Sequence, residues 1–187
     1  MHKKLIQVPV IIGKGSKQTL VVTELQISPP SPPVFRVKDI DEKVVITNKK
    51  VIPGKVIING FIDKNINYKT LEHFHDGAVN GPLYHYTAQI PFSTFIDVIP
   101  NKGEEITEGD NCEILEAFVE GEKTELLCPV SPAEHGESCD PKPPCPPPVY
   151  RKLLEKSVVK IVVKITRIEH IEINAGCQCH DQQTDEL

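Results

Sequence analysis

The sequence predicts an all-β protein, an antiparallel β-sandwich-like single domain carrying an N-terminal β arm and a Pro/Cys-rich insertion. Three observations carry that expectation. Two runs rich in Val, Ile, Tyr, Phe and Thr flank a polar loop between Val51 and Pro100, which is the composition of paired strands. A second stretch, Ser157 to Ile173, alternates apolar residues over most of its length. The strand-like segments sum to roughly seven or more, and a sandwich is the simplest way to bury their alternating faces.

Taken in order, Leu5 to Ile12 and Thr19 to Ile27 form two short apolar segments around Gly13-Lys14-Gly15-Ser16, a pattern that predicts a hairpin or two successive strands. Ser28 to Pro33 reads SPPSPP, and its prolines lack backbone donors, so a stiff extended hinge over 29–33 is expected between an arm at 1–28 and a main domain at 34–176. Val34 to Ile46 alternates, with Val37 and Val44-Val45-Ile46 as core candidates, and Asn48-Lys49-Lys50 is the predicted turn into the next strand. In the central pair Val56, Ile58, Gly60, Ile62 and Lys64 share one face, while Tyr84, Tyr86, Ala88 and Ile90 share one face of the second run.

Beyond Pro100, Ile114, Ala117 and Phe118 stand at helix-like spacing, but Gly109 and Gly121 bracket the piece and a strand is the preferred reading. Pro129 to Pro148 holds eight prolines, too many for a packed element. Tyr150 to Lys156 suits a short helical turn leading into the last strand. Within that strand the apolar phase slips near Ile168, which predicts a β-bulge or bend. The tail 177–187 is polar.

Bulk composition narrows the function. A net charge of −5 argues against nucleic acid, whose phosphates need a surplus of Lys and Arg. No apolar run reaches the roughly 18 to 20 residues of a membrane helix, and the start of the chain lacks a signal-peptide pattern, so synthesis in the cytoplasm and no membrane partner are expected.

Three clusters are candidates for chemistry. His73 and His75 project the same way from an extended segment and, with Asp76 or His85, are a weak candidate metal site; a polar hairpin tip is the plainer reading. Cys177 and Cys179 have too little spacing for a zinc knuckle and suit cross-linking to another chain. Cys128, Cys139 and Cys145, in or beside the Pro-rich insertion, are candidates for disulfides, at least one of them between chains. No phosphate loop, nucleophile elbow or HExxH motif is present, so neither an enzyme nor a cofactor is expected.

The central stretch also resembles a known family. Pro53, Gly54, Lys55, Gly60 and Tyr68 in the first run, with Pro91, Phe92, Ser93 and Phe95 in the second, are similar to the SPOCS domain of spore coat and spore morphogenetic proteins such as SipL. That resemblance implies a place at the spore surface and contains no catalytic group. A LysM module, present in the morphogenetic relatives, is missing from this sequence. The expected function is a structural protein of coat, exosporium or appendage that self-assembles by strand exchange of the arm and by disulfide cross-linking. Its expected partners are itself and other spore coat proteins. The alternatives are a monomeric adaptor for another coat morphogenetic protein, or a metal-binding module.

Overall fold

Nine strands account for most of the described residues. The computed structural model describes residues 2–130 and 146–175; these comprise β1 (His2–Gln26), β2 (Arg36–Ile52), β3 (Lys55–Lys69), β4 (His73–His75), β5 (Ala78–Asn80), β6 (Leu83–Asp97), β7 (Ile99–Pro100), β8 (Asn111–Val130) and β9 (Val149–Ala175). A four-stranded sheet runs β7-β1-β9-β8 and a three-stranded sheet runs β2-β3-β6, with every pairing antiparallel. The sheets stack so that β2 lies on β8 and β1 on β6. This is the predicted sandwich. Among the described residues no helix is long and apolar enough to cross a membrane.

The core follows from period-2 alternation on the facing strands. Along β3, Val56, Ile58, Ile62, Ile66 and Tyr68 are fully buried and their neighbours are not. Opposite them, β9 buries Leu153, Val159, Ile161, Val163 and Ile165. The predicted central pair is present, β3 and β6 running in unbroken register from Lys55↔Asp97 to Lys69↔Leu83. Its first residue follows a turn at Pro53-Gly54, where Gly54 has φ of 72°, a value that favours glycine.

Several sequence-based expectations are corrected. No hairpin divides residues 1–28: β1 is one continuous strand that pairs with β9 from His2↔Ala175 to Gln26↔Lys152. Gly13 and Gly15 answer a different need. A Cβ on Gly15 would lie 2.6 Å from the Asp97 carbonyl, and one on Gly13 would lie 2.9 Å from Val98, so the glycines allow the other sheet to approach. Nor is the proline run an extended spacer. Residues 28–30 form a turn with cis Ser28–Pro29 and Pro29–Pro30 peptides, closed by the Ser31 amide donating to Ile27 O. Val34, fully buried, then bridges to Tyr150, and the Tyr68 hydroxyl donates to Pro32 O.

Residues 48–50 continue β2 across a register shift between Ile46 and Asn48. Tyr150 to Lys156 belongs to β9 and contains no helical turn. Of the core candidates in β2, Val44 is buried while Val37, Val45 and Ile46 are half-buried. The preferred strand at 111–130 is present. Its poor alternation arises from two register shifts, at Ile114/Glu116 and Val119/Gly121, each of which switches the inward phase. The bulge or bend foreseen near Ile168 of the last strand is not found there: the β1–β9 register is unbroken from Pro9↔Ile168 to His2↔Ala175, and the irregularity lies on the partner strand. Ile12 of β1 is the extra residue, inserted opposite Ile165 and Thr166, and those two consecutive side chains are both buried.

Pro129 and Val130 still pair with Tyr150 and Val149, so the Pro-rich insertion is the connection of a long β8–β9 hairpin. Its central part, 131–145, and the tail from 176 onward lie outside the described residues.

Candidate functional site

The residues singled out from sequence do not converge. His73 and His75 lie on β4 of a small hairpin with β5, turned by Asp76 and Gly77, and both are exposed. His85 is exposed on β6, opposite Asn67. The one close polar contact of this cluster is His75 Nε2 to Asp76 Oδ2 at 3.2 Å, almost fully in solvent. Among the described residues no group of three or more His, Cys, Asp or Glu stands close enough to hold a metal ion.

The thiols divide by environment. Cys112 is buried in the core, and that burial pushes its thiol above its ordinary pKa, which keeps it unreactive. Cys128 is free and exposed, with φ of 57°, and it interrupts the ladder between Leu127↔Lys152 and Pro129↔Tyr150. Cys139, Cys145, Cys177 and Cys179 lie outside the described residues.

The most unusual chemistry is a charge cluster between the sheets, which sequence reasoning did not assemble. Lys64 sits on the inward face of β3 and is fully buried. Its ammonium donates to Glu122 Oε2 at 2.6 Å and Glu155 Oε2 at 2.8 Å, with Glu42 Oε2 at 3.3 Å. Thr124 Oγ1 also donates to Glu155 Oε2, at 3.0 Å. Four strands from both sheets therefore meet at one cation. Burial alone would lower the Lys64 pKa, but the bonds to Glu122 and Glu155 outweigh it and hold the ammonium above its ordinary value. Burial raises the Glu42 carboxyl, with Lys64 pulling the other way and Glu122 adding repulsion. One cation cannot neutralise three carboxylates, and the Glu42 carboxyl holds a proton more readily than a free one.

Glu155 Oε1 has no hydrogen-bond partner, and Thr124, which donates to the other oxygen, also lines an open groove with Phe35, Val37 and Leu126. The cluster joins the two layers. The signal that would have found it is a charged residue in the inward phase: Lys64 between Ile62 and Ile66, and Glu155 between Leu153 and Ser157. Periodicity marks the positions without naming the partners.

A second charged device holds the segment between β7 and β8. Arg167 Nε donates to Asp110 Oδ1 at 2.8 Å and Nη2 to Oδ2 at 3.0 Å, a bidentate pair. Arg167 also reaches Glu104 Oε2 at 3.0 Å and Glu105 O at 2.7 Å, while Asp110 accepts from the Thr107 amide. The guanidinium holds the Asp110 carboxyl below its ordinary pKa.

Beyond Arg167 the two longest strands leave the body. Residues 2–10 of β1 and 167–175 of β9 continue as a ribbon, because β8 stops at Asn111↔Thr166 and β7 touches β1 at Gly13 and Lys14 alone. Leu5, Ile6, Ile168, Ile171 and Ile173 are exposed there.

Comparison with known proteins adds two findings. The family model described as SipL, SPOCS domain matches residues 33–126, just over half of the chain. The chain is also 24% identical over 212 aligned residues to Exosporium protein C of Clostridium sporogenes (strain ATCC 15579), covering 90% of this chain and 76% of that protein. No solved structure matches.

Proposed function

Because the chain belongs to the SipL SPOCS-domain family, we propose that it is a structural, non-enzymatic protein of the spore surface that associates with copies of itself and is cross-linked through its cysteines. The likeness to an exosporium protein over nine-tenths of the chain supports the location. The observation that favours bonds between molecules over bonds within one is the length of β9. Cys128 lies beside Lys152 at one end of β9, while Cys177 and Cys179 follow Ala175 at the other. At about 3.3 Å per residue these ends are about 75 Å apart. The two or four residues from Ala175 to those cysteines span at most about 14 Å. A disulfide between Cys128 and the tail therefore joins two molecules, and repetition of it makes a head-to-tail chain.

Exchange of β1 between copies is a further route, since a neighbour's β1 would find the same partner in β9. It requires release of a ladder that runs the length of β1. Association of intact subunits needs no such release.

Non-reducing gel electrophoresis of the oxidised full chain tests the reading. A ladder of multimers that collapses with reductant and is shortened by Cys128→Ser is the expected result. Monomers alone under both conditions, with no larger species in negative-stain images, would favour the adaptor instead.

A further inference from the structure

Resting on that reading of self-association, we propose that the ribbon of residues 2–10 and 167–175 is the docking surface for the same ribbon of a second copy of this chain. A two-stranded ribbon is at best marginally stable in water unless a third strand or a packed layer covers it. Here Val10 at its base packs against the core, and toward the tip neither is supplied. Among the described residues, no strand pairs with the outer edge of β1 before Ile11 or of β9 after Thr166.

The ribbon nonetheless keeps an apolar face. Side chains directly opposite across a ladder share a face, so Ile6 and Ile171 stand together with Ile173 along one side. Their exposures are 36%, 42% and 41%. On the other side Leu5 and Ile168 are more exposed still, so the exposure belongs to the ribbon as an element. Isolated exposed apolar residues need no explanation, but a contiguous set on an uncovered pair of strands marks an interaction site.

The chain's own remaining segments do not suit this face. Residues 176–187 read GCQCHDQQTDEL, whose apolar side chains are Cys177, Cys179 and Leu187. The insertion 131–145 joins β8 and β9 at the far end of β9. A second ribbon, by contrast, offers matching Ile side chains and complementary charge. Its β1 edge carries Lys3 and Lys4 and its β9 edge carries Glu169 and Glu172, of which Lys3 and Glu172 pair within the chain at 2.9 Å. The β1 edge of one copy can thus lie beside the β9 edge of another with opposite charges facing.

Sedimentation velocity of the full chain, with reductant present to exclude disulfides, reads this association. Reversible oligomers are expected for the wild type, and about tenfold or greater weakening for Ile6→Thr/Ile171→Thr/Ile173→Thr, with circular dichroism and thermal midpoint unchanged. A charge series guards against a misfolded triple variant. Lys3→Glu/Lys4→Glu and Glu169→Lys/Glu172→Lys should each associate poorly alone and recover when mixed, because mixing restores opposite edges. Wild-type oligomers that persist in the triple variant and in both charge variants would overturn the ribbon as the surface while leaving self-association intact. Wild-type monomers at every concentration would remove self-association itself. A ribbon that binds a different protein in place of its own copy would overturn the second copy as occupant.

Discussion

The same two strands, β1 and β9, behave differently in the body and in the ribbon. Their ladder continues through both, yet Leu153, Val159, Ile161, Val163 and Ile165 of β9 are buried while Ile168, Ile171 and Ile173 are exposed. Hydrogen bonding is common to the two regions, so it does not make the difference. Coverage by the β2-β3-β6 sheet does. Stability is concentrated where two layers meet, and apolar side chains stay exposed where one layer stands alone.

The largest test of that contrast is Lys64→Ala. It would leave Glu155 and Glu122 without their cation between the sheets, at a cost of about 3–5 kcal/mol by analogy with other broken buried pairs. Thermal or denaturant unfolding reads it, and a change near zero would mean that the cluster is hydrated and unimportant. Next come paired truncations on one strand. Ile161→Ala in the body should cost about 2–5 kcal/mol, and Ile171→Ala in the ribbon under about 0.5 kcal/mol for the monomer. Equal costs would show that the ribbon is covered in solution.

Asp110→Asn should lower the thermal midpoint less than Lys64→Ala, since it weakens the bidentate Arg167 pair and leaves the core intact. Its pH signature is specific. A carboxyl depressed in the folded state contributes stability above its unfolded value, near 3.8, and loses it as pH falls through the lower folded value. The variant should therefore flatten the acid limb of the stability curve.

Glu42→Gln is the smallest expected change and has the opposite sign. A carboxyl raised in the folded state makes the protein less stable as pH climbs from about the ordinary 4.5 through its folded value. Glutamine removes that decline, so the variant should equal or slightly exceed the wild type at pH 7. A loss as large as that of Lys64→Ala would instead identify the ionised Glu42 as an essential partner of the ammonium.

The body was more legible in the sequence than the places where distant strands meet. The β3–β6 pair could be read because its alternation is local, whereas the bulge expected near Ile168 of β9 falls on the partner strand at Ile12. Gly13 and Gly15 were misleading because a glycine that admits a neighbouring backbone has the same letter as one that turns the chain. Close approach of Asp97 is set by residues more than eighty positions away. Bulges in β8 disguised a strand as a weak helix by shifting its phase twice. The Lys64 cluster was half visible. An inward lysine could be placed on its face from β3 alone, whereas Glu42, Glu122 and Glu155 join it through the stacking of two sheets, which no local pattern specifies. The candidate thiols were legible as residues, while the length of β9 was not.

The central claim, that cysteines at the two ends of β9 join different molecules, has a direct test. Full-length chains grown with light and heavy nitrogen are mixed as reduced protein, oxidised and digested, and the disulfide-linked peptides are identified by mass. Peptides joining Cys128 to Cys177 or Cys179 should include the mixed light–heavy species at the proportion that random pairing between molecules gives. Linked peptides from this pair that are exclusively all-light or all-heavy would place the bond within one chain and contradict the account.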